Sequence, residues 1–493
     1  MKSLKALLLL ALLLTINGCK SHSGARPGNV KLICHIDAST TVGEPVSSPD
    51  SRHVAYVSKA GSKRMVVVDG QAQKAYDFID VPTLAFSPLS QRVAYVAWSG
   101  KKQIAVIDGQ EGRPYDGIEN LIFSPNSSRI AYVAKIGGKS AVVVDGKEQQ
   151  AYDIVSEPSL AFSPDNSRVA YLARANELWR AVIDGKEQKP YDDAHGLAFS
   201  PDSQHVAYVA NIDGKAVLMV DGKATGSYDE ISSTAVGDAR VTYSPDGQHL
   251  AYGAQTGDAW TLQGSGKPEK SYEGIGSIAF SPDSQRIAYE AQLAGKWVVV
   301  ADDKEGKPYD SIGRLVFSPD GHRLAYLATA NEKQILVVDG DEGKPYAAIV
   351  DAESLQRSPT CPSGPCWLAF YPQKPFTFSP DGKRVAYQAK VREKRVDSGE
   401  LWAVIVDGKE QSSYEGVGGL VFSPDSQHVA YIAGTEPKQF VVVDGLEGKQ
   451  YDGLVKGATC LFDSPNKLHY LVKRITSSDG KSYDIDLVGE TIQ

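Results

Sequence analysis

The sequence contains few residues of the kinds that bind metals or act as nucleophiles. Its 493 residues include 5 cysteines, 9 histidines and 3 methionines. The 52 basic residues are outnumbered by 60 acidic ones, so the formal net charge is −8. A chain of this charge has no overall positive field to attract nucleic acid. In contrast, hydrophobic residues make up 42% of the chain, enough for a large core.

The sequence also lacks the motifs of common catalytic sites. Gly137-Gly138-Lys139-Ser140 resembles the end of a phosphate-binding loop, but the required first glycine is replaced by Val133. Neither a G-x-S-x-G nucleophile elbow nor a calcium loop of the D-x-[DN]-x-[DN]-G form occurs. We therefore predict a protein without catalytic residues, metal or cofactor.

The first 18 residues predict an export signal. Lys2 and Lys5 precede the apolar run Ala6–Leu14, which is too short to cross a bilayer as a helix. The following Ile16-Asn17-Gly18-Cys19 resembles the bacterial lipobox. That resemblance implies cleavage before Cys19 and lipid attachment to it; an ordinary cleavage site beside a cysteine is the alternative.

The lipobox resemblance also implies a location. Bacterial lipoproteins are typically triacylated, and two or more chains anchor a protein stably. Lys20 stands where an aspartate commonly signals retention in the inner membrane, which favours the outer membrane, facing the periplasm or the cell surface. Residues 19–30 are then the lipidated tether, and the remaining chain, 31–493, is the folded region in the bacterial cell envelope.

The remaining four cysteines suit an oxidising compartment. Cys361 and Cys366 enclose a short loop that a disulfide could close, with free thiols or a metal as alternatives. Cys34 and Cys460 would then form a second pair that joins the two ends of the folded region. This second pairing requires Cα atoms within about 7 Å of each other, which sequence spacing does not establish.

One unit is repeated along nearly the whole folded region. Phe199-Ser200-Pro201-Asp202-Ser203-Gln204-His205-Val206-Ala207-Tyr208 is one copy. The Ser-Pro prolines mark eleven copies, at Pro49, Pro88, Pro125, Pro164, Pro201, Pro245, Pro282, Pro319, Pro380, Pro424 and Pro465. Spacings near 40 residues are typical of solenoids and propellers.

Each copy predicts four short strands and no helix. One strand ends at the motif, Ser-Pro-Asp forms a turn, and Val-Ala-Tyr begins the second strand. A β-branched run such as Val142-Val143-Val144 is the third and ends in Asp-Gly, a strong hairpin signal. Segments of the Tyr-Asp-x-Ile type, as at Tyr76, predict the fourth. A four-stranded unit must stack on others around an axis to bury both faces, which predicts an all-β propeller.

The sequence of the repeat resembles the WD-like repeats of TolB-type propellers, which also form the propeller of prolyl-oligopeptidase-like enzymes. The resemblance covers residues 46–490 and implies the fold; the hydrolase domain of those enzymes is absent. Eleven copies exceed the usual 4 to 8 blades. One alternative is two rings of five and six blades, with a seam in the 44-residue interval from Pro201 to Pro245. The other is one wide ring.

The last copy predicts only three strands, the third at Tyr483–Gly489. The segment Val30–Ile36, which precedes the first motif, could supply the missing fourth strand. Such a closure would bring the two ends of the folded region together.

Two interruptions of the repeat are candidate binding surfaces. The insertion 351–377 carries Trp367, Phe370 and Tyr371, and clustered aromatics suit an interface, although packing on a neighbouring blade is the alternative. A loop in the ninth copy carries Arg392, Lys394 and Arg395, which could contact a partner or anionic headgroups or simply be solvated.

Histidine recurs at one repeat position, just before the Val-Ala-Tyr strand, and alternates there with arginine. Arginine is not a usual metal ligand, so we predict a solvated strand start and no metal site. The sequence as a whole favours a non-catalytic, lipid-anchored propeller that binds an envelope protein or glycan. An enzyme acting on peptides or sugars at the channel mouth and a purely structural spacer are the alternatives.

Overall fold

Eleven antiparallel sheets, nine of four strands and two of five, follow one another along the chain. They are seen in a computed structural model that describes residues 26–232, 241–264, 270–349, 375–392, 400–435, 438–455 and 457–492. Each sheet is one blade of a β-propeller, and the described residues contain no α-helix. The predicted all-β propeller is therefore confirmed.

The first six blades contain the following strands. Blade 1 has β2 (Thr41–Ser47), β3 (Val54–Ala60), β4 (Lys63–Val68) and β5 (Gln71–Tyr76). Blade 2 has β6 (Phe78–Phe86), β7 (Val93–Ser99), β8 (Lys102–Ile107) and β9 (Gln110–Tyr115). Blade 3 has β10 (Gly117–Phe123), β11 (Ile130–Ile136), β12 (Lys139–Val144) and β13 (Lys147–Tyr152). Blade 4 has β14 (Ile154–Val155), a 3₁₀ turn (Glu157–Ser159), β15 (Ala161–Phe162), β16 (Val169–Ala175), β17 (Leu178–Ile183) and β18 (Lys186–Glu187). Blade 5 has β19 (Ala194–Phe199), β20 (Val206–Ile212), β21 (Lys215–Val220) and β22 (Lys223–Tyr228). Blade 6 has β23 (Glu230–Ile231), β24 (Thr242–Tyr243), β25 (Leu250–Thr256) and β26 (Ala259–Gln263).

The remaining blades complete the ring. Blade 7 has β27 (Gly274–Phe280), β28 (Ile287–Leu293), β29 (Lys296–Ala301) and β30 (Lys304–Glu305). Blade 8 has β31 (Ser311–Phe317), β32 (Leu324–Ala330), β33 (Lys333–Val338) and β34 (Asp341–Glu342). Blade 9 has β35 (Phe376–Phe378), β36 (Val385–Arg392), β37 (Leu401–Val406) and β38 (Lys409–Tyr414). Blade 10 has β39 (Gly416–Phe422), β40 (Val429–Thr435), β41 (Lys438–Val443) and β42 (Leu446–Glu447). Blade 11 has β43 (Gly453–Leu454), β44 (Leu461–Ser464), β45 (Lys467–Ile475), β46 (Ser482–Thr491) and, from the other end of the chain, β1 (Arg26–Asp37).

A separate hydrophobic core fills each of the eleven boundaries between blades. Blades 5 and 6, which flank the predicted seam, share a core to which Val209 and Leu218 contribute from one side and Ile231 and Tyr252 from the other. Blades 11 and 1 share a core in the same way. The chain therefore forms one closed ring, and the two-ring alternative is wrong.

Strand β1 closes the ring. It pairs antiparallel with β46, and the partners include Val30 with Val488 and Ile36 with Tyr483. The predicted closing segment Val30–Ile36 and the predicted third strand Tyr483–Gly489 are both confirmed. The last five residues of the predicted tether, 19–30, belong to the propeller, because β1 begins at Arg26.

The Ser-Pro-Asp turn joins a blade to the next at several boundaries. Within the turn, the Ser163 hydroxyl and the Ser167 amide donate to the carboxylate of Asp165 and lower its pKa to about 2. The Asp165 amide then donates to the Ser203 hydroxyl of the next blade at 2.9 Å. The same link between blades starts from the amides of Asp50, Leu89, Asp246 and Asp381, and from Thr459 across the closure.

The arginine of the repeat also spans two blades, so the prediction of a solvated strand start is wrong. Arg168 Nε donates to the Asp184 carboxylate of its own Asp-Gly turn at 2.9 Å. Its Nη1 donates to the carbonyl of Gln204 in the next blade at 2.9 Å, and its guanidinium lies 5.4 Å from the Phe199 ring centre. Histidine keeps the first contact, since His205 Nδ1 lies 2.7 Å from the Asp221 carboxylate. His53 also lies 6.4 Å from the Phe86 ring of the next blade.

The Asp-Gly turns have the predicted conformation. Asp69 and Gly70 have φ of 48° and 78°, the left-handed values that a type I′ turn needs at both positions. The fourth strand differs from its prediction, since it ends at the tyrosine. Asp77 after Tyr76 forms the connection between blades: its carboxylate accepts the Gly100 amide of the next blade at 2.8 Å and lies 3.8 Å from Lys63 Nζ of the preceding one.

The cysteines Cys34 and Cys460 are buried, unpaired thiols, so the predicted disulfide between them is not formed. Cys34 lies on β1 at one edge of blade 11, and Cys460 precedes β44 at the other edge. Three strand spacings separate these edges, about 14 Å. The two thiols also belong to different cores, and burial raises the pKa of Cys34 to about 12.

Closure of the ring by β1 predicts a sharp contrast between two residues of that strand. Ile36 is fully buried in the core between blades 11 and 1, whereas Val30 is 54% exposed. Ile36→Ala should lower the free energy of unfolding by about 2–5 kcal/mol, because it leaves a cavity. Val30→Ala, the control, should change it by less than about 0.5 kcal/mol. Equal effects in urea titrations would contradict the pairing.

A buried carboxyl in blade 11 predicts a dependence of stability on pH. Burial raises the pKa of Glu490, and the Tyr470 hydroxyl donates to it at 2.5 Å. Because the folded chain holds this proton more tightly than the unfolded one, stability falls as pH rises above about 4.3, until the folded pKa is passed. Glu490→Gln should therefore have the same thermal midpoint as the parent at pH 4 and a higher one at pH 8. A difference that does not change with pH would contradict this assignment.

Candidate functional site at the inner rim

The first strand of each blade lines the hub of the ring. First strands of neighbouring blades contact one another, as β2 and β6 do, while the second and third strands are almost wholly buried. The Ser-Pro-Asp and Asp-Gly turns lie at one end of every blade, and the connections between blades lie at the other. We call these two sides the turn face and the connection face.

Two positions of the first strand distinguish one blade from another. We define them from the last tyrosine of the preceding blade: the rim position is two residues after it and the hub position four residues after it. The hub position is the last paired residue before a bulge, as at Asp80, Glu119, His195, Gly313 and Gly418.

The residues at these positions differ between two groups of blades. In blades 2 to 6 the rim positions hold Phe78, Gly117, Ile154, Asp193 and Glu230, and the hub positions hold Asp80, Glu119, Ser156, His195 and Ser232. In blades 7, 8 and 10 the rim positions hold Gly274, Ser311 and Gly416, and the hub positions hold Gly276, Gly313 and Gly418. We call the following polar and apolar set in blades 2 to 6 the rim arc: Phe78, Asp80, Glu119, Ile154, Glu157, Asp193, His195 and Glu230.

The space around the hub glycine differs between blade 7 and blade 8. A Cβ atom on Gly276 would lie 2.4 Å from Glu290 Oε2, so the buried Glu290 side chain would have to move to admit a larger residue. A Cβ atom on Gly313 would meet nothing within 4 Å. Packing therefore does not require glycine at Gly313, and the hub is open on that side. The adjacent Arg314 is exposed, with φ of 49° at the bulge.

Two carboxyl groups of the rim arc meet between blades 3 and 4. Glu119 accepts from Lys135 Nζ at 2.7 Å, and the neighbouring Asn120 side chain donates to the Glu157 carbonyl. Desolvation and then the charge of Glu119 raise the pKa of Glu157, which is hydrogen-bonded to Glu119. A raised carboxyl pKa beside a second carboxyl is the pattern of a pair that shares a proton.

His195 separates two cavities. The first, of about 180 Å³, lies between blades 4 and 5, and its lining includes Ser156, Pro158 and Leu197. The second, of about 370 Å³, lies between blades 5 and 6 and is lined by Asp193, Asn211, Asp229 and Glu230 among others. His195 Nδ1 lies 3.5 Å from the Asp193 carboxylate. One cavity is thus largely uncharged and the other acidic, and His195 lines both.

An exposed aromatic residue marks blade 2. Phe78 is 41% exposed, and among the described residues it is the one aromatic with a large exposed surface. It is paired across the strands with Trp98, and the Arg64 guanidinium lies 4.0 Å above its ring. Aromatic and arginine side chains of this kind dominate the energetics of protein interfaces.

Most of the site residues predicted from sequence are not among those that the structure describes. Cys19, Cys361, Cys366, Trp367, Phe370, Tyr371, Lys394 and Arg395 fall outside the described residues, and only the backbone of Arg392, at the end of β36, is described. Phe376, predicted within the insertion, is instead a core residue of β35. Lys390 forms an ion pair with Glu400 at 2.6 Å.

Sequence analysis missed the rim arc, including His195, because its residues do not recur from copy to copy. Alignment of the eleven copies on the connection tyrosine would have revealed them, since the hub position changes from Asp, Glu and His to Gly around the ring. No three His, Cys, Asp or Glu side chains of the described part of the chain are arranged to hold a metal ion. The same part contains no helix long and apolar enough to span a membrane.

Comparison with known proteins finds only distant structural matches. No protein-family model matches the chain, and no curated protein matches it. A solved eukaryotic initiation factor is 11% identical and aligns over 73% of this chain and 94% of its own, with a TM-score of 0.39. TolB from Acinetobacter baumannii is 16% identical over 61% of this chain and 78% of its own (TM-score 0.24). The β-propeller domain of the Trilobed protease from Pyrococcus furiosus is 13% identical over 63% and 96% (TM-score 0.26). The chain is a β-propeller on the evidence of its own eleven sheets and cores.

The two hub glycines provide a test of this geometry. Gly276→Ala should lower the free energy of unfolding by about 1–3 kcal/mol, because its methyl group collides with Glu290. Gly313→Ala, the matched control, should leave it unchanged or raise it by up to about 1 kcal/mol, because alanine restricts the unfolded chain. If both substitutions destabilise the protein equally in urea titrations, the hub is not open at blade 8.

Proposed function

We propose that this protein is a lipid-anchored β-propeller of the bacterial cell envelope that binds a protein or glycan partner through the rim arc. The observation that carries the proposal is the asymmetry of the hub. Repeated side chains are engaged in contacts between blades, whereas the residues of the rim arc differ from blade to blade. Positions that a repeat fold leaves variable are those at which a binding surface arises on a rigid scaffold.

The position of β1 supports the anchored arrangement. The strand begins at Arg26, seven residues after Cys19, so the lipid and the ring would be at most about 25 Å apart. Such a spacer would hold blade 11 close to the membrane surface. The outer membrane is the proposed location, because Lys20 follows the proposed lipidated cysteine.

Removal of the proposed acylation site tests the anchor. Cys19→Ala should move the protein from the membrane pellet to the soluble fraction when cells are broken, because the attachment point of the acyl chains is lost. Lys20→Ala, the control, should stay in the pellet. A soluble parent protein, or a Cys19→Ala variant that stays bound, would count against lipidation.

Photo-cross-linking in intact cells tests the binding surface. A photoreactive amino acid at Asp193 or Glu230 should give a discrete adduct of higher mass. The same residue at Ser167 or Gln204, both exposed on the turn face, is the control and should not. Equal labelling from both faces would rule out the rim arc as the binding surface.

The carboxyl pair of the rim arc favours a second candidate function, an envelope enzyme with its active site at the channel mouth. A carboxyl group whose pKa is raised beside a second carboxyl group suits general acid catalysis. A screen for hydrolysis of peptides and sugars would support this candidate only if an activity is found and is lost in Glu157→Gln.

A further inference from the structure

The rim arc combines negative charge with exposed apolar side chains. We propose that it binds a basic segment of a partner polypeptide that also carries apolar side chains. The inference rests on the proposed function and specifies the chemical class of the partner.

The carboxylates of the arc are poorly neutralised. Among the described residues, no lysine or arginine lies within ion-pair distance of Asp80, Glu157, Asp193 or Glu230. Lys135 pairs with Glu119, and Lys215 pairs with Asp229 at the edge of the larger cavity. The five carboxylates of the arc therefore face one lysine and the Arg64 guanidinium above Phe78, and Glu119 and Glu157 share a proton. The excess of negative charge that is left attracts a cationic ligand.

The apolar side chains of the arc provide anchors. Phe78 is exposed at the rim of blade 2, and Ile154 is 42% exposed at the rim of blade 4. The Arg64 guanidinium above Phe78 and the paired Trp98 hold the ring in place, which reduces the entropy lost when a ligand binds. A cationic ligand without apolar groups would leave these surfaces in water.

The cavities beside His195 match the two kinds of side chain. The cavity of about 370 Å³ has Asp193 and Glu230 on its walls and suits a lysine or arginine side chain. The cavity of about 180 Å³ has Pro158, Leu172 and Leu197 on its walls beside Ser156 and Ser159, and it admits a small side chain that packs on the apolar residues. Because His195 lines both cavities, neighbouring residues of a single segment could fill both.

The extent of the arc favours a polypeptide over a smaller cation. Its residues are spread over blades 2 to 6, so a small amine would contact only one part of it. A neutral glycan would bring no charge to match the carboxylates. An extended polypeptide segment can place charged and apolar side chains at successive blades.

Binding of labelled synthetic peptides to the purified mature chain tests the inference. The probe is a short fluorescein-labelled peptide of Lys, Leu, Gly and Ser; one counterpart carries Glu in place of Lys and another Ser in place of Leu. Fluorescence anisotropy should show binding of the basic, apolar peptide and none of the acidic one. The peptide without Leu should bind at least about tenfold more weakly. Added salt should weaken binding, since the attraction is between exposed charges.

Variants of the chain locate the site. The triple variant Asp80→Asn, Asp193→Asn, Glu230→Gln should weaken binding by at least about tenfold. The control removes three exposed acids of the same face, Glu177→Gln, Asp258→Asn and Glu332→Gln, and should retain the parent affinity. Phe78→Ala should also weaken binding, while Leu293→Ala, with a similar exposed fraction of 42%, should not. Unchanged thermal midpoints establish that the variants are folded.

Several results would overturn the inference. Equal binding of the acidic and basic peptides, or equal losses in the triple variant and its control, would exclude a charge-selective site. Binding of maltoheptaose in place of the peptide would assign the arc to a glycan. If the cellular cross-link at Asp193 forms but the basic peptide does not bind, the partner class is wrong and the proposed function stands. If neither occurs, both fail.

Discussion

The hydrogen bond from the turn of one blade to a serine in the turn of the next, made at six of the eleven boundaries, is the contact on which much of the ring depends. In the link from Asp165 to Ser203, a backbone amide that would otherwise face solvent is satisfied by the neighbouring blade. The arginine of the repeat adds a second attachment at the same boundary, through its own Asp-Gly turn and the carbonyls of the next blade. Both attachments lie on the turn face. On the connection face the recurrent contact is made by the aspartate after the tyrosine, as at Asp77 and Asp116. The rim and hub positions are left to vary, and they carry most of the rim arc.

The propeller fold was predictable from sequence because the residues that determine each turn and strand recur from copy to copy. Proline and aspartate at the first turn, Asp-Gly at the second and β-branched runs between them each determine local structure, and eleven copies reinforce the pattern. The number of rings was not predictable, because blades within one ring and across two rings have the same local sequence. Only the cores between blades 5 and 6 and between blades 11 and 1 decide the question.

The rim arc was not predictable for the opposite reason. His195 and Glu119 occupy the same hub position, but nothing in the local sequence of either copy shows that this position faces the hub. The carboxyl pair of Glu119 and Glu157 depends on the approach of two blades, and the pairing of Phe78 with Trp98 depends on the register of β6 with β7. Each contact arises from tertiary structure, whereas the motif that was recognised is local.

Closure of the ring by β1 constrains the order in which the protein matures. The strand that emerges first from a ribosome or an export channel pairs with the one that emerges last, since Ile36 lies opposite Tyr483. Until the final blade arrives, β1 lacks its pairing partner and the core between blades 11 and 1 cannot form. Long-range pairings of this kind form slowly, because the entropy of closing a long loop is lost before the stabilising contacts are made. A chain truncated before β46 would accordingly leave β1 without its partner and the core between blades 11 and 1 incomplete.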